Sequence, residues 1–146
     1  MINSYRSTEE ANRDKAQLVE LLDALRALPS RLHRDECGAW IISGRAGCYV
    51  STDGDGWLLV ITPERELSKL AWAWVKKRLA FAAVTQDGDG EGCLRLDRLP
   101  TAAEAEEVRD VLGIWKAYSP EELARRREVG RRLVRRMRGQ NGSVID

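Results

Sequence analysis

The chain has 146 residues, 43% hydrophobic and 32% charged, with a formal net charge of +1. That balance excludes a disordered chain and a strongly basic nucleic-acid coat, and it describes one globular domain over 1–146 with enough length to bury a core. No apolar run approaches the roughly 18 residues that span a bilayer, and "MINSYRSTEEANRDK" lacks an apolar signal core, so a cytoplasmic location with no membrane partner is expected.

The first element is a helix within residues 1–30. Ser7 and Glu10 form a capping box, Leu18, Leu21, Leu22, Leu25 and Leu28 recur at helical spacing, and Pro29 ends the run. Its first turns are polar and are expected to project from the domain. "SRLHRDE" reads as a charged connector. A sheet-containing core over 38–113 follows. "GAWIIS", "CYVST" and "WLLVIT" are three strands separated by the short turns "GRAG" and "DGDG", which forces an antiparallel meander. Thr62 and Pro63 then predict the cap and first position of a helix. Its stripe of Leu67, Leu70, Ala71, Trp74, Val75 and Leu79 should face the core, with Lys69, Trp72, Lys76 and Lys77 turned away. "FAAVTQ" and "CLRLD" form a hairpin in which Leu94 and Leu96 face inward. Thr101 with Glu104 caps the next helix and Gly113 closes it. Ser119, Pro120 and Glu122 open a basic helix over 119–138, and 139–146 reads as a frayed tail. The fold class is therefore α+β, a five-stranded, mostly antiparallel sheet with helices packed on it in the order α-βββ-α-ββ-α-α.

Asp-Gly-Asp-Gly occurs twice, at Asp53–Gly56 and Asp87–Gly90. In the second copy Asp87, Asp89, Glu91 and Gly92 match the early positions of a calcium loop, but the twelfth position is Arg98 where a bidentate carboxylate is required. The first copy has Trp57 and Leu58 at its fifth and sixth positions. Both read as hairpin turns, in which Asp-Gly supplies positive φ angles. Cys37, Cys48 and Cys93 are odd in number and scattered, and His33 is the single histidine. This pattern fits reduced thiols and no ordinary zinc site, so no metal and no cofactor are expected.

The net charge conceals a gradient. Residues 119–146 hold 8 Arg against 4 acids, a balance of +4, while residues 1–118 carry −3. Arg125, Arg126, Arg131, Arg132, Arg135 and Arg136 make the C-terminal helix a candidate surface for phosphates or an acidic partner. Leu123, Val129, Leu133, Val134 and Met137 give the same helix an apolar side that could pack on the body. Lys69, Trp72 and Lys76, at i, i+3 and i+7, form a second candidate face. Trp72 is the expected exposed aromatic there, suited to base stacking or a protein hot spot. No nucleophile elbow, P-loop, zinc-protease helix motif or dinucleotide fingerprint is present.

"KKRLAF", "VTQDGDGEGCLRLDRLP" and "SPEELARRRE" resemble short uncharacterised proteins of high-GC proteobacteria, some of which travel on phages, plasmids or integrative elements. The resemblance covers roughly residues 38–128. It implies a small accessory or inhibitor protein and supplies no activity and no site residues. The expected function is a non-enzymatic binding protein, regulatory or a mobile-element accessory factor, that contacts nucleic acid or a nucleoprotein complex through the basic helix. Two alternatives are an inhibitor that binds an acidic surface on a host machine, in the manner of an anti-CRISPR protein, and a small hydrolase or transferase with a carboxylate site. Oligomeric state is not readable from the sequence.

Overall fold

The computed structural model describes residues 5–145, with the backbone alone from 139 onward. Four helices accompany a six-stranded antiparallel sheet. In chain order the elements are α1 (Thr8–Leu25), a 3-10 turn (Pro29–Arg31), β1 (Leu32–Arg34), β2 (Trp40–Ser43), β3 (Tyr49–Asp53), β4 (Gly56–Ile61), α2 (Lys69–Arg78), β5 (Ala83–Asp87), β6 (Gly92–Leu96), α3 (Ala102–Leu112) and α4 (Pro120–Ile145). The sheet order is β1-β2-β3-β4-β6-β5. β6 lies between β4 and β5 and is antiparallel to both, so β4 and β5 are parallel and α2 is the crossover between them.

The sixth strand, β1, occupies the segment expected as a charged connector. Leu32, His33 and Arg34 pair with Ile42, Ile41 and Trp40. An edge strand needs only one apolar contact, here Leu32, and the exposed His33 and Arg34 erase the alternation that marks inner strands. Asp35 closes this hairpin by accepting from the N–H groups of Cys37 and Ala39 at 2.9 Å each.

One face of the sheet carries the core. Ile42, Val50, Leu59 and Leu94 are successive cross-strand partners, and each is fully buried. Leu18, Leu21 and Leu25 of α1, Trp72 and Leu79 near α2, and Val108 and Leu112 of α3 join them in one cluster. The N-terminal helix spans Thr8–Leu25 within the expected 1–30, and residues 1–4 lie outside the described residues. Its start does not project: Tyr5 and Ala11 are buried, and Tyr5 Oη accepts from the Trp40 N–H at 2.7 Å. α2 starts at Lys69, where the Ser68 hydroxyl accepts from the Ala71 N–H, and not at Pro63. Leu67 is off the helix, its N–H donating to the Gly90 carbonyl at 3.0 Å. Thr101 and Glu104 form the complete capping box of α3, and Gly113 closes it at φ 68°. α4 continues to Ile145, through most of the segment expected to fray.

Both Asp-Gly-Asp-Gly segments are hairpin turns. Asp53 pairs with Gly56 around Gly54, at φ 62°, and Arg95 on β6 reaches Asp53 at 3.0 Å and Asp55 at 3.4 Å. In the second turn the Gly88 N–H donates to the Glu91 carbonyl at 2.9 Å. Arg98, the residue out of place in a calcium loop, instead pairs with Glu104 at 2.6 Å and pushes its carboxyl down to about 2. Gly92 is needed for a different reason: a Cβ there would lie 2.5 Å from the Trp72 ring. Gly92→Ala should lower stability in urea unfolding by about 1–3 kcal/mol, the usual cost of overpacking, while millimolar calcium leaves the wild-type midpoint in place.

Candidate nucleic-acid interface

The structure divides the face expected from Lys69, Trp72 and Lys76. Lys69 is exposed, but Trp72 is 2% exposed and belongs to the core. Its Nε1 donates to Asp87 Oδ1 at 2.7 Å, and Lys76 Nζ reaches both oxygens of the same carboxylate at 3.1 Å. The Trp72 hydrogen bond, then Lys76, holds the Asp87 carboxyl below its ordinary range. Two stripes compete in "LAWAWV", and Leu67 favours the wrong one if it is counted as helical. With the helix starting at Lys69, Trp72, Val75 and Leu79 turn inward. Leu70 and Trp74, expected in the core, are 76% and 57% exposed. Lys77 Nζ lies 5.4 Å from the Trp74 ring centroid.

α4 grows from a fixed root. Residues before it form an isolated antiparallel bridge, Ala27 with Lys116. The Leu28 N–H donates to the Trp115 carbonyl and the Ala117 N–H to the Arg26 carbonyl, at 2.9 and 2.7 Å. The Ser119 hydroxyl caps the helix by accepting from the Glu122 N–H. The Glu122 side chain reaches across to Arg26 at 2.6 Å and Lys116 at 3.6 Å, and the Arg26 bond is the main cause that lowers its pKa. Arg126 stacks on Tyr118, 4.3 Å from the ring centroid, and donates to its hydroxyl.

Beyond this root, residues 123–138 are exposed except for half-buried Glu128. The apolar side of α4, expected to pack on the body, is therefore uncovered. Arg131 and Arg132 reach Glu128 at 3.9 and 3.5 Å. Among the described residues, no carboxylate lies within ion-pair reach of Arg125, Arg127, Arg135, Arg136 or Arg138. Arg125, Arg135 and Arg136 lie away from Leu123, Val134 and Met137, whereas Arg127 and Arg138 flank that apolar side at helical spacing from Val134.

At the foot of α4 lies an open groove of about 910 Å³ that includes Arg31, Arg45, Arg109, Trp115, Lys116 and Tyr118 in its lining. Arg109 donates to the Leu25 carbonyl at 2.6 Å, and Arg78 in the same wall is held by Glu107 and Asp110. Trp115 is 65% exposed, with the Arg31 guanidinium 5.2 Å from its ring centroid. Arg31 Nε is buried without a hydrogen-bond partner in the protein. Exposed Arg45 sits on the β2–β3 turn, pinned where its N–H donates to the Leu112 carbonyl at 2.7 Å. Sequence reasoning missed this groove because its residues come from the 3-10 turn, the β2–β3 turn, α2, α3 and the segment after Gly113, and share no periodicity. The one local signal was a tryptophan just beyond the helix-closing Gly113.

The arrangement offers cations and aromatic faces for a polyanion. Among the described residues, no group of three or more His, Cys, Asp or Glu side chains is placed to hold a metal ion. No described helix is long and apolar enough to cross a membrane. No family model matches the chain, and no curated protein or solved structure matches it either.

The two α2 tryptophans should respond in opposite ways. Trp72→Ala removes a buried ring and its hydrogen bond to Asp87, and should cost about 3–5 kcal/mol in chemical unfolding. Trp74→Ala should change stability by no more than about 0.5 kcal/mol. Equal effects would contradict the assigned helix phase.

Proposed function

We propose that the chain is a non-enzymatic nucleic-acid-binding protein, regulatory or an accessory factor of a mobile element, with α4 as its phosphate-contacting element. The observation that carries this reading is the run of exposed arginines on α4, of which Arg125, Arg127, Arg135, Arg136 and Arg138 have no acidic partner among the described residues. Arginine forks fit phosphate oxygens, and a helix that buries none of them in ion pairs keeps them available. The groove at the root adds Arg31, Arg45 and Lys116, with exposed Trp115 as a surface on which an unpaired base can stack. Backbone contacts position the protein with little base discrimination.

A second reading rests on Leu70 and Trp74. These exposed apolar side chains, with Lys77 over the Trp74 ring, have the composition of a protein hot spot. They support binding to a protein partner, including the inhibitor role expected from the sequence.

Fluorescence anisotropy with single-stranded and duplex oligonucleotides over a salt series tests the first reading. Affinity should fall steeply with salt as condensed counterions are released. Replacing Arg131, Arg132, Arg135 and Arg136 by Gln should reduce the log–log salt slope by about 3 and leave the fold intact, since Gln is a good helix former. Absence of binding at low salt, or a slope unchanged in the variant, would overturn it. Binding to a protein partner that is lost in Leu70→Ala or Trp74→Ala would favour the second.

A further inference from the structure

The groove at the foot of α4 offers what the helix itself lacks. α4 carries arginines and no aromatic residue, whereas the groove joins cations to an exposed indole. Its volume of about 910 Å³ falls within the range typical of small-ligand sites. We propose that the groove is a site for one unpaired nucleotide, its base against Trp115 and its phosphate between Arg31 and Arg45. The site rests on the nucleic-acid reading of α4 and names the part of the ligand that α4 does not read.

Trp115 supplies the stacking surface. Its ring is 65% exposed even with the Arg31 guanidinium 5.2 Å from its centroid. Its backbone is anchored, because the Trp115 carbonyl accepts from the Leu28 N–H at 2.9 Å and the next residue bridges to Ala27. Every base has a π-face that suits such a ring. Inside a duplex both faces of a base are covered by its neighbours, so the site admits an unpaired base and excludes a paired one.

Arg31 and Arg45 supply the phosphate contacts. Neither has a carboxylate within ion-pair reach among the described residues. Arg31 Nε is buried without a hydrogen-bond partner in the protein, and a partly desolvated guanidinium gains more from an anion than a hydrated one. Arg45 lies against Gly113: a Cβ built on that glycine would sit 2.5 Å from Arg45 Cβ and 3.1 Å from its Nε. The glycine that closes α3 therefore also makes room for the Arg45 side chain. The acids of the lining are engaged or distant. Glu107 and Asp110 hold Arg78, and Glu106 precedes Gly113 by seven residues, about 10 Å along α3.

Indole N–H signals in NMR correlation spectra of the full chain test the site, since each of the 5 tryptophans gives one. Trp115→Phe assigns the Trp115 signal by its loss. Thymidine monophosphate should shift that signal and leave the signal of buried Trp72 in place. Thymidine or phosphoserine at the same concentration should not shift it. Tighter binding of a single-stranded thymidine oligomer than of the monophosphate assigns the site to a strand, and the reverse assigns it to the free nucleotide. Trp115→Ala should weaken oligomer binding by about 5- to 150-fold, the factor carried by one stacked base. Duplex affinity and circular dichroism should stay unchanged, and Trp115→Phe should retain part of the affinity. Arg45→Gln should raise the monophosphate concentration needed for half the shift. A Trp115 signal that moves with neither monophosphate nor oligomer would overturn the proposal. So would an equal shift with phosphoserine, or an equal loss of duplex and single-strand affinity in Trp115→Ala. The variant with Gln at Arg131, Arg132, Arg135 and Arg136 separates the two claims. It should bind oligomer more weakly yet keep the monophosphate shift, and loss of that shift would place the nucleotide on α4 instead of in the groove.

Discussion

The structure depends on the apolar row along one face of the sheet. β2, β3, β4 and β6 contribute Ile42, Val50, Leu59 and Leu94 to it, and burial of that row is the dominant favourable term available to a domain of this size. α1, α2 and α3 all contribute to the cluster that covers it. α4 contributes no buried residue among those described. Its described arginines and apolar side chains are consequently both exposed, and among the described residues the helix is held by its first turns through Glu122 and Arg126.

The placement of α2 rests on one polar contact in an apolar setting. Trp72 fills the space above Gly92, and its indole N–H reaches Asp87, the first residue of the second Asp-Gly-Asp-Gly turn. A buried indole N–H needs a partner, and the turn supplies a carboxylate already paired with Lys76. In the first turn Arg95 engages Asp53 and Asp55. The repeated motif thus does two jobs: its glycines shape hairpins, and its acids tie those hairpins to neighbouring elements.

Features encoded by neighbouring residues were legible in the sequence. Ser7, Thr101 and Ser119 cap their helices through bonds to residues three positions on, and both Asp-Gly-Asp-Gly segments form turns. The arginine side of α4 was legible because it is periodic. β1 was not, because an edge strand can be charged and still pair. The phase of α2 was misread because Leu67 sits outside the helix and Trp72 finds its partner across the fold, at Asp87. Arg31, Arg45 and Trp115 meet only after the 3-10 turn, the β2–β3 turn and the segment before α4 are assembled, so no local pattern announces their groove.

The central claim is that α4 is a helix without a place on the body, available to a polyanion. Hydrogen exchange read by mass spectrometry on the dilute protein tests it most directly. Amides of residues 123–138 should exchange far faster than those of α1 and β4, and should gain protection when an oligonucleotide is added at low salt while the core stays unchanged. Protection of those amides at the level of α1 in the dilute free protein would contradict the account, because α4 would then be packed on the body and its arginine face would not be free.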